Sequence, residues 1–586
     1  MDQPDHAPRV GEALSGGTVE ELARLLGLPL ASAAAAERLA AGAGAAAQAV
    51  RAVLAHYGGG RLFDREPADY LHLLESLASD SAPADDLVKD FADRGVTPAA
   101  ADLSNADPLH ADLTALVRRL AERRLRSTDL TVAALQRAAL AQQRTGCFLR
   151  IDRDEALRSA ELADWLLDEA ARPGRASALS LLGVPLAHKD MFVRRGVEPS
   201  CGSRVVATPR APGSGPVTEA TVLQRLEAAG ALSLGVLNMA EFALGPTGHN
   251  AAFEDCRNAW DPAFISGGSS SGSAVAVACG AVAASLGSDS GGSIRIPAAV
   301  NGVFGLKPTY GLIPRTGSMK LAPSIDVLGA CTRSVRDLAL LLEILAGGDG
   351  RDALCSLRRV ADYRSILGRG IEGRRIGIPQ QYFVAELDPA VREAFERSLA
   401  VFAAAGASLL EVPVPEVEAM AELSRAVVYA EATALHAAWL RDRGEHYTPQ
   451  VRLRASTGLA IPAPLYLEAL QLRLPLLERF VAAVFTRCDV LLTPTLPLCT
   501  PRRADTDVGA GPELWRTLSR LVRCTAPFNY LGLPALSIPA GVDPQGLPIG
   551  LQLVAAPFAE ARLLQFAAVH EVHYPALCSV VNWPRK

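Results

Sequence analysis

Between Ile265 and Thr309 the chain reads ISGGSSSGSAVAVACGAVAASLGSDSGGSIRIPAAVNGVFGLKPT, two Gly-Gly-Ser turns separated by small apolar residues. Glycine pairs reach φ > 0 and admit close neighbours, so each turn can hold a serine hydroxyl at the edge of a packed layer with amide N–H groups exposed beside it. A nucleophile next to an anion nest is the chemistry this spacing favours. Two plainer readings compete. A phosphate loop needs Lys after its last Gly, and Ser273 follows Gly272. A flexible Gly/Ser linker is polar, whereas Ala274 to Leu286 is uncharged and Ala/Val-rich, which predicts a buried helix followed by a strand.

The 586 residues suffice for two or more domains, and with 49% hydrophobic and 21% charged residues the chain is of globular type. A net charge of −5 provides no cationic field for nucleic acid or an anionic membrane. The ten cysteines form no CxxC pair or zinc-spaced cluster, so no metal or other cofactor is expected. The first residues lack the basic and apolar regions of a secretory signal, and no uncharged apolar run reaches the ~20 residues that span a bilayer. A reduced cytoplasmic setting is the expectation.

Along the chain, residues 1–78 carry helical periodicity after Thr18 and are expected to form a small all-α module. Residues 79–108, acidic and Pro-containing, are expected to be a linker. From 109 to 586 helical and strand patterns alternate. LLGVPLAHKD (181–190) reads as a buried strand ending in charge, and ALSLGVLN (231–238), RRIGIP, SLLEVPV, DVLLTPT, PALSIPA and GLPIGLQLV also read as strands. A long helical block from Pro415 to about Arg487 interrupts them. The fold class is therefore α/β, one mixed sheet covered by helices, preceded by the helical module.

A serine nucleophile needs a base. His188, His249 and His436 lie near plausible loops, but none stands in a Ser–His–acid context, and the G-x-S-x-G pattern of Gly268 to Gly272 has no apolar strand leading into it. Lys189 ends an apolar strand. Burial there would lower its pKa and make it a neutral amine base, while the alternative is a solvated lysine paired with Asp190.

Taken together, Ile265–Thr309, the lysine strand GVPLAHKD, LNMAEFALG (237–245) and the stretch from Ala526 to Ala555 resemble the amidase signature family over roughly residues 109 to 575. The resemblance implies hydrolysis of a carbon–nitrogen amide bond by a Ser–cisSer–Lys triad. By position, Ser293 matches the acyl-forming nucleophile, Ser269 the bridging serine with a cis peptide, and Lys189 the base. The backbone N–H groups of Ser290, Gly291, Gly292 and Ser293 match the oxyanion hole, and Asp289 and Arg295 match bracing positions. Ala243 matches a pocket-lining position, and Tyr429 and His436 from the helical block are further substrate-binding candidates, with Tyr447, Arg452 and Tyr466 beside them.

The implied partner is a small-molecule amide, with no nucleic acid bound directly and no membrane; a homodimer is compatible with the sequence. Two alternatives stay open: a glutamine-hydrolysing subunit of a tRNA-dependent amidotransferase, and a biuret-pathway type of hydrolase. The helical front resembles the small helical subunit that wraps the amidase subunit in both assemblies, here fused in cis. The sequence departs from the family pattern at His188, where an apolar residue is commoner, and at SDSGGS, where serines replace threonine and a variable residue.

Overall fold

A computed structural model of the chain describes residues 14–28, 30, 32–57, 67–78, 108–171, 179–207, 217–575, 577, 579–581 and 583. The segment expected to be a linker lies, except for Pro108, outside the described residues.

Among the described residues, three α-helices open the chain: α1 (Gly16–Leu25), α2 (Ala33–Tyr57) and α3 (Tyr70–Ser76). Ser15 caps α1 by accepting from Thr18 N at 3.2 Å, satisfying one of the helix's unpaired donors. In α2 the residues Ala36, Leu39, Ala43, Ala46, Ala47 and Val50 recur at three and four and are all buried. Small side chains dominate that stripe, so α2 lies close against the Val417–Arg443 helix and the Thr457–Ala460 turn. The Arg473 guanidinium rests 3.7 Å from the centre of the Tyr70 ring in α3, whose hydroxyl donates to the Tyr530 carbonyl at 3.3 Å. Apolar residues of α2 and of the rest of the chain belong to one continuous core.

Among the described residues, the remaining chain builds a single mixed sheet of eleven strands: β1 (Phe148–Ile151), β2 (Pro185–Lys189), β3 (Leu232–Leu237), β4 (Ala284–Asp289), β5 (Phe304–Lys307), β6 (Val327–Thr332), β7 (Arg375–Pro379), β8 (Ser408–Val412), β9 (Val490–Pro494), β10 (Ala535–Val542) and β11 (Pro548–Val554). Their order is β1-β3-β2-β4-β6-β5-β10-β11-β9-β7-β8. Sequence periodicity anticipates eight of them and misses β1, β5 and β6, which are short or lie inside wholly buried stretches without alternation.

Two strand pairings bring the candidate catalytic residues together. β2 runs parallel to β4, with His188 opposite Leu286, so both strands deliver their C-terminal ends, Lys189 and Asp289, to the same edge. Antiparallel β6 continues the sheet, setting Ser288 opposite Leu328. The predicted buried helix is Ser271–Ala278, with every residue buried; its Ser and Ala side chains let it sit on β2, β3 and β4. Among the described residues no helix is long and apolar enough to cross a membrane.

Candidate active site

Lys189 is fully buried at the end of β2, and its Nζ lies 2.8 Å from Ser269 Oγ and 2.9 Å from Ser288 Oγ. Burial pushes its pKa from 10.5 down to about 7, partly offset by the negative charges of Asp289 and Asp326. Asp190, the partner in the solvated alternative, turns away: its carboxylate accepts from the Ser200 hydroxyl and from the N–H groups of Ser200 and Gly202. The amine thus loses its proton far more readily than a solvated lysine, beside two hydroxyls.

The first Gly-Gly-Ser turn brings Ser269 under this amine through a cis Gly268–Ser269 peptide. Its glycines are required by crowding. Gly267 has φ of 69°, and a Cβ there would stand 2.6 Å from Pro297 Cα; one on Gly268 would meet the Gly245 carbonyl at 2.5 Å. Ser270 N donates to the Ser293 carbonyl at 3.0 Å, tying the first turn to the second.

The second turn follows β4 and is braced from below. Fully buried Asp289 accepts from Gly292 N at 2.7 Å, Ile294 N at 3.1 Å, and Arg295 Nε and Nη2 at 3.0 and 2.9 Å. Asn529 adds a contact at 2.8 Å, and Arg295 reaches on to Thr525 O and Gln552 Oε1. Burial alone would raise the Asp289 pKa, but the Arg295 charge and hydrogen bonds hold it well below the ordinary carboxylate range. Asp289 and Arg295 thus lie under the second turn and hold its backbone N–H groups and each other.

Gly292 calls for a correction. The family resemblance assigns its N–H to an oxyanion, but that donor points down to Asp289. Ser290, Gly291 and Ser293 retain N–H groups without a protein acceptor among the described residues, and all three line a cavity of about 520 Å³.

That cavity also takes in Ala243, Tyr429, Arg454, Arg425, Trp515 and Arg523. Ala243 enters with φ of 60°, a conformation rare for a residue with a Cβ, on a turn beside Phe242. Lys189 and Ser269 lie beneath the floor and do not line the cavity; Ser293 does. No histidine lines it among the described residues.

His436 is behind the wall rather than in it: its Nδ1 is 2.8 Å from the Tyr447 hydroxyl, and its ring meets Phe242 edge-on with 4.5 Å between centroids. His249 is held by Asp255 and Thr506. His188 faces away from the cavity, with Nδ1 at 3.1 Å from the Lys189 carbonyl, and burial lowers its pKa to about 4. Tyr466 donates to Glu431, and neither Tyr447, Tyr466 nor Arg452 reaches the cavity.

Three residues escaped sequence reasoning. Ser288 is the second hydroxyl on the Lys189 amine. Asp326, just before β6, accepts from Ser290 Oγ at 2.5 Å and from the N–H groups of Leu321 and Ala322, fastening the turn at Ser290 to the cavity wall. Arg454 is 7% exposed; its Nε and Nη2 donate to the Tyr429 hydroxyl at 3.3 and 3.2 Å, while buried Nη1 has no partner among the described residues. A guanidinium that lines a cavity suits an anionic group on a ligand.

The family model described as Amidase matches residues 129–564. The A subunit of the glutamyl-tRNA(Gln) amidotransferase of Chloroflexus aurantiacus is 37% identical over 486 residues, 79% of this chain and 96% of that protein. A solved chain from "an unexpected vestigial protein complex" bearing on "the evolutionary origins of an s-triazine catabolic enzyme" superposes with a TM-score of 0.72 at 30% identity, covering 81% of this chain and 100% of that one. A bacterial aryl acylamidase gives a TM-score of 0.72 at 25% identity, covering 82% of this chain and 100% of its own.

Proposed function

This chain belongs to the amidase signature family, an enzyme family acting on carbon–nitrogen bonds, and from that premise we propose a serine amidohydrolase for small amides carrying a carboxylate. The observation that carries the reading is the buried 2.8 Å contact between Lys189 Nζ and Ser269 Oγ beneath a cavity floor that presents Ser293.

In this reading, neutral Lys189 takes the Ser269 hydroxyl proton as Ser269 takes that of Ser293. Ser293 Oγ bonds to the amide carbon, and the carbonyl oxygen becomes an oxyanion received by the N–H groups of Ser290, Gly291 and Ser293. Collapse breaks the C–N bond; the proton held by Lys189 returns through Ser269 to the departing amine. Water then adds to the acyl-Ser293 ester by the same relay, releasing the acid and restoring the hydroxyl. Arg454 receives the substrate carboxylate, with the Tyr429 hydroxyl fixing its guanidinium.

The test pairs uncharged amides with their carboxylated counterparts, such as butanamide with succinamate, and measures released ammonia. Wild type should prefer the carboxylated member about 10–100-fold, the worth of one charge-assisted pair. Hydroxylamine should trap the acyl group as a hydroxamate, and Ser293→Ala should lower turnover about 10⁴-fold or more. Undiminished turnover in Ser293→Ala would remove the proposed nucleophile.

A second reading comes from the relatives named as amidotransferase subunits: glutamine, itself a carboxylated amide, as the ammonia source for a partner enzyme. Strong glutaminase activity that rises on adding a partner would favour it. The packing of α2 on the Val417–Arg443 helix favours a self-contained chain, since that face is covered in cis.

A further inference from the structure

Gly42 of α2 is buried directly against the indole of Trp515, which lines the cavity. A Cβ at position 42 would stand 3.3 Å from Cε2, 3.4 Å from Cζ2 and 3.5 Å from Nε1 of that ring. The indole therefore rests on bare helix backbone, and Trp515 Nε1 is buried there without an acceptor among the described residues. Trp515 in turn meets the Tyr429 ring edge-on, with 5.4 Å between centroids. The Tyr429 hydroxyl holds two nitrogens of Arg454, whose third nitrogen is the unpaired one.

We propose that the N-terminal helices are a working part of the substrate pocket: Gly42 positions Trp515, Trp515 positions Tyr429, and Tyr429 positions Arg454 for an anionic group on the substrate. This rests on the reading of the cavity as the acyl-transfer site and adds a specificity role to a segment outside the matched region, residues 129–564. Close-packed aromatic rings transmit small displacements because no void absorbs them. The Cβ of alanine at 42 is tight enough to shift the ring by tenths of an ångström, and leucine must displace it. Of the triad, Lys189 ends β2 and Ser269 and Ser293 lie in the two glycine turns, outside this chain of contacts. Position 42 is thus a positioning residue acting on binding and not on chemistry.

Gly44, in the same helix, has nothing within 4 Å of its added Cβ and gains helix propensity equally when replaced by alanine, so it serves as the control. The experiment measures labelling of Ser293 in the full chain by two fluorophosphonates of equal length, one ending in a carboxylate and one in a methyl group. Gly42→Ala should slow the carboxylated probe about threefold and Gly42→Leu about tenfold, with the methyl probe within about twofold of wild type. Gly44→Ala should change neither rate.

Equal slowing of both probes in the Gly42 variants would overturn the relay in favour of general loosening, and unchanged rates in both would overturn it outright. A wild type labelled no faster by the carboxylated probe would overturn the anion subsite. Wild type labelled by neither probe, or Ser293→Ala labelled as well as wild type, would instead sink the acyl-transfer reading on which the proposal rests.

Discussion

Lys189 and Ser288 meet across two parallel neighbours of the sheet, amine to hydroxyl at 2.9 Å, each the terminal or penultimate residue of its strand. Ser288 is thus a second hydroxyl on the amine, beside that of Ser269. Ser288→Ala should lower kcat about 10–100-fold by freeing the lysine to rotate, while Ser288→Thr, which keeps the hydroxyl, should stay within about threefold. Steady-state kinetics on any accepted amide decides this; an unchanged kcat in Ser288→Ala would show the contact to be idle.

The lysine's depressed pKa fixes the direction of the pH response. A neutral amine is required, so kcat/KM should rise with pH through about 7 and then level. A profile flat from pH 5 to 9 would remove Lys189 as the titrating base.

The same shift makes a statement about stability. In the folded chain Lys189 has a pKa of about 7, below the ~10.4 of an unfolded lysine, so the unfolded chain binds the extra proton between those values. The cost of burying the ammonium is full below pH 7 and fades as pH approaches 10. Lys189→Met should therefore abolish turnover yet raise Tm by a few degrees at pH 6, with the gain shrinking toward pH 10. Melting curves across that range test it, and a gain that grows with pH would contradict the sign.

Breaking the Asp289–Arg295 pair should be severe because both groups are wholly buried. Arg295→Met leaves the carboxylate unpaired in a low-dielectric interior, worth about 3–5 kcal/mol in denaturant unfolding. Arg295→Lys should recover only part, since a single ammonium cannot reproduce the two-nitrogen contact.

Arg454→Met should raise KM for carboxylated amides about 10–100-fold and leave KM for the uncharged counterpart within about threefold. Arg452→Met, two positions earlier, should change neither. Equal effects at both positions would show that charge near the cavity, not Arg454 itself, is responsible.

The two glycine turns were legible because Gly267, Gly268 and Gly292 stand where a Cβ would collide with its neighbours, whereas the apolar strand before Lys189 left a buried amine and a solvated ion pair both open until the family resemblance chose between them. Arg454 was not legible. It shares the Pro449–Ala455 helix with Arg452, and two positions on a helix are about 200° apart, so only the packed rotation decides which of them meets the cavity. Ser288 and Asp326 depend on sheet order: β6 arrives beside β4 from some forty residues downstream, and nothing local announces that neighbour. The donor lost at Gly292 is subtler, since the sequence contains the turn and its brace but not the direction of each N–H.

β2 and β4 are interior strands, flanked by β3 on one side and β6 on the other. Their junction cannot fray as an edge strand or a surface loop does, so opening it requires dismantling the sheet itself. On heating, catalysis and the sheet's circular dichroism should therefore disappear over one temperature interval, and amides of β2 should exchange with deuterium only at the rate set by global unfolding.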